Sequence, residues 1–243
     1  MQPFVLLATR AEDVPADEEY ELFLRFTGLD ERMLRRIRLE AGAMPALDLD
    51  AISGVFVGGS PFNASDADTA KSAVQRRVER DMSALLDRVV ARDVPFFGAC
   101  YGVGTLGVHQ GAVVDRTHAE PISVVPVTLT EAGAADPLFA GMPRTFGAFV
   151  GHKEAVRTLP PHLVRLAGSP GCPVQAFRAG RNVYATQFHP ELDVAGISTR
   201  IRAYADHGYF ADGELDLTLS AVRAAPVTEP ARMLRTFVER YAR

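Results

Sequence analysis

The sequence predicts an α/β fold in which an open, mostly parallel sheet is flanked by helices. Short apolar runs of strand length alternate along the chain with longer segments whose apolar residues follow a helical period. The runs at 4–8, 52–57 and 94–99 are apolar almost throughout, as is typical of parallel strands buried on both faces. Glycine-rich or polar motifs follow two of these runs directly, and ligands of open parallel sheets lie beyond such strand ends.

Composition and charge narrow the class of protein. The chain has 243 residues, of which 47% are hydrophobic and 23% are charged, and this is typical of globular proteins. A net charge of −4 without any basic block argues against a nucleic-acid binder. No segment reaches the roughly 18 apolar residues of a membrane span, and the N-terminus lacks the basic region of a signal peptide. Only two cysteines, Cys100 and Cys172, are present, so we expect a reducing, cytoplasmic environment.

The predicted elements alternate along the N-terminal half. Glycine or polar residues stand at both ends of each apolar run. In the helical segments, apolar residues recur at positions three and four apart. In order, we predict a strand at 4–8, a loop at 10–17, a helix at 18–26, a strand near the sheet edge at 33–39, a strand at 52–57 and a helix at 69–92.

The C-terminal half is predicted to be richer in strands. Residues 179–182 carry a hairpin turn signal between two apolar runs. We predict residues 1–192 to form one domain and 193–243 a helical extension packed on it, with a homodimer surface as the less favoured use of its apolar faces. The predicted elements are strands at 112–116, 122–129, 145–150, 163–167, 174–178 and 183–188, and tail helices at 195–207 and 230–242.

Residues 94–104, Val-Pro-Phe-Phe-Gly-Ala-Cys-Tyr-Gly-Val-Gly, have the layout of a nucleophile elbow. A strand ends, the chain turns sharply and a helix begins, which leaves Cys100 at the tip of the turn. Gly98 and Gly102 flank the cysteine because such a turn leaves little room for Cβ atoms. The positive end of the following helix would favour the thiolate. A buried free cysteine is the alternative, and this motif alone does not separate the two.

A second motif at a strand end favours the catalytic interpretation. The run at 183–191 is an apolar strand that ends in His-Pro-Glu. A thiol nucleophile needs a base, and the base needs an orienting acceptor, which His189 and Glu191 would supply. Their spacing of two places both side chains on one face of an extended chain. We therefore predict a Cys100–His189–Glu191 triad at the C-terminal edge of a central strand.

These motifs, with two others, make the chain resemble a known family. The four are Gly-Gly-Ser at 58–60, Gly-Ala-Cys-Tyr-Gly at 98–102, Gly-His-Lys-Glu-Ala-Val at 151–156 and Gln-Phe-His-Pro-Glu at 187–191. In order and spacing they resemble the class I, or triad, glutamine amidotransferases, most nearly the stand-alone GMP-synthase-like ones. The resemblance implies a three-layer, flavodoxin-like fold. It also implies hydrolysis of the glutamine side-chain amide through a γ-glutamyl thioester, with ammonia passed to a synthetase or transferase.

The resemblance also assigns residues around the triad. The backbone N–H groups of Gly59 and Tyr101 would hold the oxyanion, where negative charge develops on the attacked carbonyl. Gly58 belongs to the same glycine pair, and the loop at 150–152 would border the glutamine pocket. His152 is more simply a structural or pocket-lining histidine than a base, since His189 already fills that role. No His/Cys cluster has the local spacing of metal ligands, so neither metal nor cofactor is predicted.

One departure from the family pattern concerns the substrate. The family usually has a glutamine four residues after the nucleophile, where it helps to bind the substrate, and this chain has Gly104. The loss of a side chain there would enlarge the pocket and suit a γ-glutamyl peptide or amide. Three hypotheses follow: an amidotransferase that serves a separate synthetase, a free-standing γ-glutamyl hydrolase or peptidase, and a regulatory homologue with weak turnover.

Overall fold

The computed structural model describes residues 1–204, 214–225 and 227–243. Within these ranges, apolar runs form the strands of one large sheet and of a small two-stranded sheet. The strands are β1 (Phe4–Ala8), β2 (Leu34–Arg38), β3 (Gly54–Val57), β4 (Phe96–Ala99), β5 (Val113–Asp115), β6 (Glu120–Leu129), β7 (Thr145–His152), β8 (Ala155–Thr158), β9 (Val164–Gly168), β10 (Ala176–Ala179) and β11 (Val183–Thr186).

The large sheet has nine strands in the order β2-β1-β3-β4-β11-β10-β9-β6-β7 within the described residues. The first five strands of this order run parallel, and β2 lies at the edge as predicted. The remaining neighbours pair antiparallel, as do β5 and β8 of the small sheet. The predicted hairpin joins β10 to β11. The predicted α/β fold with a large, mostly parallel sheet is confirmed, and its parallel half carries the candidate site.

Helices cover this sheet on both faces. Their bounds are α1 (Asp13–Thr27), α2 (Ala73–Arg92), α3 (Tyr101–His109), α4 (Glu131–Ala135), α5 (Val194–Ala203), α6 (Glu214–Ala224) and α7 (Ala231–Tyr241). The predicted loop at 10–17 is wrong in part, since α1 begins at Asp13. The sequence reading also missed α6. The predicted tail helix at 195–207 corresponds to α5, and its last three residues lie outside the described residues.

The alternation of side chains along a strand divides the core into two layers. In β1, Val5 and Leu7 pack in one apolar cluster with the inner stripe of α2. Phe4 and Leu6 point to the other face and pack in a second cluster with α1 and α7. The fold therefore has three layers, helices, sheet and helices.

Helix α7 closes the centre of the second layer. Its Phe237 ring lies 6.2 Å from the ring centroid of Phe4, 5.0 Å from that of Phe56 and 5.6 Å from that of Phe97, and these three residues belong to three different strands. All four rings are fully buried. Burying a phenylalanine side chain contributes about 1.5–3 kcal/mol, so this tail helix supports the strands below it.

The register of β4 and β11 sets the position of the candidate site. These neighbours run parallel, with Phe96 opposite Val183 and Ala99 opposite Thr186. Both strands therefore end at the same level, and the residues that follow them emerge side by side at the C-terminal edge. Cys100 follows the first strand directly, and His189 follows the second by three residues.

Candidate active site

Cys100 occupies a strained turn between β4 and α3. Its backbone has φ 52° and ψ −83°, a conformation that residues with a Cβ rarely adopt. Its N–H donates to the carbonyl of Thr186 at 2.7 Å, which ties the turn to β11. A Cβ on Gly98 would lie 2.6 Å from the Cα of Gly102, whereas a Cβ on Gly102 would meet nothing within 4 Å. The prediction that the turn leaves no room for a Cβ atom is therefore correct at Gly98 and wrong at Gly102.

His189 and Glu191 form a buried pair beyond the end of β11. Nδ1 of the imidazole lies 2.7 Å from Oε1 of the carboxylate. The backbone N–H of His189 donates to the carbonyl of Phe149 at 2.9 Å, which anchors the residue to β7. A carboxylate can only accept, so Nδ1 carries the hydrogen and Nε2 is left as the basic nitrogen.

A buried charge network from three segments surrounds this pair. Arg200 of α5 lies 3.1 Å from Glu191 Oε1 and 2.7 Å from Glu19 Oε1 of α1. Arg10, which follows β1, lies 3.3 Å from the same oxygen of Glu19. One nitrogen of Arg200 also lies 3.0 Å from His189 Nδ1. Because Glu191 is the closer partner of Nδ1, we assign that contact as proximity between the charged guanidinium and the ring, with the hydrogen donated to Glu191.

A cavity of about 160 Å³ opens over these residues. Cys100 and His189 both line it, and Arg200 of α5 and Tyr204, which follows that helix directly, belong to its wall. Its other walls include Ser60 and Pro61, Ile122, and residues of the β7 end. A partly enclosed cavity with convergent polar groups and a nucleophile is the usual form of a small-molecule site.

The Cys100 thiol is protonated in this setting. Burial, together with the nearby Glu191 charge, raises its pKa to about 12, and the opposing charges of Arg10 and Arg200 do not cancel this. The start of α3 was predicted to favour the thiolate, and desolvation by burial outweighs any such effect on the pKa here. A base must take the proton during the attack.

His189 is suited to take that proton. Burial lowers its pKa below the usual value, against the opposing effect of Glu191, so the ring is neutral at neutral pH. The pKa of Glu191 is lowered despite burial, since His189 and Arg200 both favour the carboxylate. A neutral imidazole held by an ionised carboxylate is the arrangement of a general base.

Comparison with known proteins agrees with this geometry. Residues 42–203, more than half of the chain, match the family model described as glutamine amidotransferase class-I. The chain belongs to the class-I glutamine amidotransferase family. The resemblance seen in the sequence motifs is thereby confirmed.

Relatives of known name lie within this family. The chain is similar to a subunit of the glutamine-hydrolyzing GMP synthase of Thermococcus kodakarensis, with 31% identity over 52% of this chain and 61% of that protein. It is also similar to the subunit of the same name from Thermoplasma volcanium, with 27% identity over 70% of this chain and 79% of that protein. The chain thus spans less than two thirds of the first of these relatives.

Solved structures share the fold. A glutamine amidotransferase from Thermotoga maritima superposes with a TM-score of 0.78 at 21% identity and covers 99% of this chain and 98% of that chain. A glutamine amidotransferase from Methylobacillus flagellatus gives 0.73 at 18% identity, over 100% of this chain and 96% of that chain. Both alignments include the tail helices, so the fold shared with these amidotransferases extends beyond the region matched by the family model.

The backbone N–H groups predicted to hold the oxyanion differ in whether they are already hydrogen-bonded. Tyr101 opens α3, so its N–H is among the first-turn donors that lack an acceptor within the helix. The N–H of Gly58 donates to the carbonyl of Leu7, and that of Gly59 donates to Glu19 Oε1 at 3.2 Å. The Gly59 donor is therefore engaged by a buried carboxylate in this structure.

The space beside Gly104 is filled by Glu154 of the 150–156 motif. A Cβ on Gly104 would lie 2.3 Å from Glu154 Oε1. The same carboxylate accepts the backbone N–H groups of Ala64 and Ser65 at 2.9 and 2.7 Å. The expected enlargement of the pocket at Gly104 is therefore wrong, because a neighbouring carboxylate occupies the volume where the family's glutamine would lie.

Two of the three residues of the predicted pocket loop line the cavity, and His152 does not. Val150 and Gly151 line the cavity. The His152 ring is buried and turns to Glu120 Oε2 at 2.9 Å and to the carbonyl of Glu154 at 2.9 Å. Of the two interpretations of His152, these contacts fit the structural one.

The sequence reading missed the charged residues around the pair. Arg10 and Glu19 lie in segments interpreted as a loop and an ordinary amphipathic helix, and no local signal marks them. Arg200 had a signal, since it falls between Ile197, Ile201 and Tyr204 on the apolar face of its helix. A lone arginine on a buried face needs a partner, and Glu19 and Glu191 are its partners here.

Proposed function

We propose that the protein hydrolyses the side-chain amide of L-glutamine through a γ-glutamyl thioester and passes the ammonia to a separate synthetase. One observation carries the proposal. Cys100, on a strained strand-to-helix turn, shares a cavity with His189, whose Nδ1 is held by a buried carboxylate. This arrangement supplies a nucleophile, a base and an orienting group for acyl transfer.

The reaction follows from these groups. His189 Nε2 takes the Cys100 proton as Sγ attacks the amide carbon. When the C–N bond breaks, His189 returns that proton to the leaving nitrogen, and ammonia departs. Water then attacks the thioester, with His189 accepting its proton, and the C–S bond breaks to restore the thiol and release glutamate. Glu191 stabilises the imidazolium formed in each half.

The carbonyl oxygen becomes negative in both halves and needs donors. Tyr101 N–H, at the start of α3, is one candidate. Gly59 N–H remains the second candidate, and it would have to leave Glu19 to serve. In this proposal the glycine pair rearranges when substrate enters, and Arg10 and Arg200 then hold the Glu19 carboxylate alone.

The partner is inferred from the relatives. Two of them are named as one subunit of a glutamine-hydrolyzing GMP synthase, which implies that another subunit completes the synthase. We propose that this chain likewise delivers ammonia to a separate protein. Both cysteines are free thiols, which suits a cytoplasmic setting. Among the described residues, no helix has the length and apolarity to cross a membrane.

The proposal is tested with a diazo ketone analogue of glutamine and intact mass measurement. We expect one adduct on the wild-type protein and on Cys172→Ala, and none on Cys100→Ala. Glutaminase activity that rises on addition of a synthetase would support delivery to a partner. Faster turnover of γ-glutamyl peptides than of glutamine would replace the proposal with a γ-glutamyl hydrolase. Absence of any adduct would leave the weakly active regulatory homologue.

A further inference from the structure

A second group of Cys, His and Glu lies outside the cavity. Glu120 of β6, His152 of β7 and Cys172 of the β9–β10 connection are all buried. One ligand atom from each lies within 4.8 Å of the other two. The sequence reading found no metal-ligand spacing because these residues are distant along the chain and meet only through the pairing of β6 with β7 and the connection beside it.

We propose that Glu120, His152 and Cys172 supply three of the ligands of a zinc site. The ring of His152 is oriented as a metal ligand would be. Its Nδ1 lies 2.9 Å from the carbonyl of Glu154, which can only accept, so Nδ1 carries the hydrogen. Nε2 faces Glu120 Oε2 at 2.9 Å, and these two atoms can share either a proton or a metal ion. Zinc-bound histidines usually donate their other N–H to a carbonyl or carboxylate in this way.

A hydrogen-bonded side chain supports the Glu120 carboxylate, as is usual around metal ligands. The Gln175 amide donates to Glu120 Oε2 at 2.7 Å and to Ser169 Oγ at 3.1 Å. Its Oε1 is buried and has no hydrogen-bond partner among the described residues. Reversing the amide would set that oxygen against the Glu120 carboxylate, so this orientation is fixed. The amide nitrogen of Gln175 therefore faces the group and holds the Glu120 carboxylate in place.

Geometry and charge both suit zinc. With ligand atoms no more than 4.8 Å apart, one ion could lie within about 2.8 Å of all three, and shifts of about half an ångström reach the distances of zinc–sulfur and zinc–nitrogen bonds. A thiolate and a carboxylate together neutralise a divalent ion. Sulfur and imidazole ligands favour zinc over magnesium or calcium. On binding, the Cys172 thiol releases its proton to solvent, and the ion takes the place of the proton between His152 and Glu120.

The site would fasten the wall of the catalytic cavity. His152 lies between Gly151 and Lys153, both of which line the cavity. Cys172 and its neighbours hold the far side of the group through Ser169, whose hydroxyl donates to Glu120 Oε1 at 3.2 Å. An ion that joins three segments restrains each of them, and binding free energy at a structural site adds to folding free energy.

The test is a titration of the metal-stripped protein with Co²⁺, followed by absorption. We expect one equivalent to bind and to produce a thiolate-to-cobalt charge-transfer band that one equivalent of Zn²⁺ displaces. The band should persist in Cys100→Ala and disappear in Cys172→Ala. Zn²⁺ should raise the thermal midpoint of the wild-type protein and leave that of Cys172→Ala unchanged. The Cys172→Ser variant, with circular dichroism, checks that loss of the band is not loss of the fold.

Three outcomes would overturn the proposal. In the first, Co²⁺ gives no stoichiometric band, and the group is a hydrogen-bonded His–Glu pair beside a neutral thiol. In the second, the band is lost in Cys100→Ala and kept in Cys172→Ala, which places the metal on the other thiol. In the third, Cys172→Ser and Cys172→Ala bind Co²⁺ as tightly as the wild type. Because labelling of Cys100 by the glutamine analogue is measured separately, these outcomes do not depend on the proposed glutamine hydrolysis.

Discussion

The structure contains two groups of one cysteine, one histidine and one glutamate. The Cys100 group also has His189 and Glu191, and the Cys172 group also has His152 and Glu120. The surroundings of the two groups differ. Cys100 is half-buried and lines a cavity, whereas Cys172 is fully buried. The proposed base, His189, binds a carboxylate through Nδ1 alone. His152 binds a carbonyl through Nδ1 and a carboxylate through Nε2. A histidine with both nitrogens engaged cannot accept a proton from a thiol.

The same three residue types can therefore have different roles, which depend on the hydrogen-bond partners of the histidine and on whether a cavity reaches the thiol. Cys100 and His189 both line one cavity, so a substrate can reach the thiol and the imidazole together. At the Cys172 group, each polar atom faces another protein group, so the set can only bind protons or an ion. Substitutions at matched positions of the two groups should therefore affect different quantities. Those in the Cys100 group should lower kcat, and those in the Cys172 group should lower the free energy of unfolding.

The largest expected effect comes from the two carboxylates. Glu191→Gln should lower kcat on the order of 10²–10⁴-fold, because an amide can donate to Nδ1 and move the ring hydrogen to Nε2. The matched change Glu120→Gln should lower the free energy of unfolding and leave kcat within about threefold. Steady-state glutaminase assays and urea unfolding measure both. Equal losses of kcat in the two variants would remove the distinction between the groups.

The two thiols should also differ in their reaction with iodoacetamide. Burial raises the pKa of Cys100 to about 12, so its thiolate fraction is small and grows with pH. Its alkylation rate should rise about tenfold per pH unit from about pH 6 to pH 10 without a plateau. Cys172 should react at least about 100-fold more slowly in the folded protein, since it is inaccessible.

Peptide mapping of the alkylated protein distinguishes the two sites. A plateau in the Cys100 rate near neutral pH would mean a resting thiolate–imidazolium pair instead of a thiol. Denatured protein provides the control, because both cysteines should then react at one rate with a pKa near the usual value.

Glu154 links His152 to helix α3, since its carbonyl accepts from His152 and its carboxylate lies beside Gly104. Gly104→Gln should lower the free energy of unfolding by about 2 kcal/mol, because the new side chain displaces that carboxylate from Ala64 and Ser65. The matched change Gly102→Ala should be neutral or stabilising by up to about 1 kcal/mol, since its Cβ has space. The midpoints of urea unfolding measure both changes. A Gly104→Gln protein as stable as the wild type would show that the Glu154 carboxylate does not fill the space beside Gly104.

The smallest effect should come from Arg200. Its charge lowers the pKa of His189, so Arg200→Met should raise that pKa and move the acid limb of the kcat/KM profile to higher pH. We also expect kcat to fall about tenfold, because Glu191 loses a partner. Arg202→Met, on the exposed side of the same helix, is the control.

A conservative variant keeps this test independent of folding. Arg200→Lys retains the charge and loses the forked hydrogen bonds, so its acid limb should stay near that of the wild type while kcat is intermediate. An acid limb that moves equally in the Lys and Met variants would mean that Arg200 acts on packing and not on His189.

Much of the fold and the core of the site followed from the sequence. Buried parallel strands are apolar along their whole length, so β1, β3 and β4 were visible as runs, and the Gly-Ala-Cys-Tyr-Gly turn marked the elbow. His189 and Glu191 do contact each other, but the extended chain on which that prediction rested is wrong. Strand β11 ends at Thr186, and the two residues lie in a turn beyond it, where the N–H of Leu192 donates to the carbonyl of His189.

Most of the relations that were missed are long-range. Glu19 reaches Gly59 and Arg200 across 40 and 181 positions of the chain. Glu120, His152 and Cys172 meet through strand pairing, and Glu154 fills the space beside Gly104 from another loop. The protonation of Cys100 was also missed, because a helix end can be seen in a sequence and the degree of burial cannot.

The position of Phe237 has a consequence for how the protein is made. The rings of Phe4, Phe56 and Phe97 that it covers are synthesised long before it, since α7 begins at Ala231. During translation the part of this sheet face that α7 covers stays open to water and to other chains until α7 leaves the ribosome. Contacts across such sequence distances form slowly, so a nascent chain would depend on chaperones for longer than one whose core closes early.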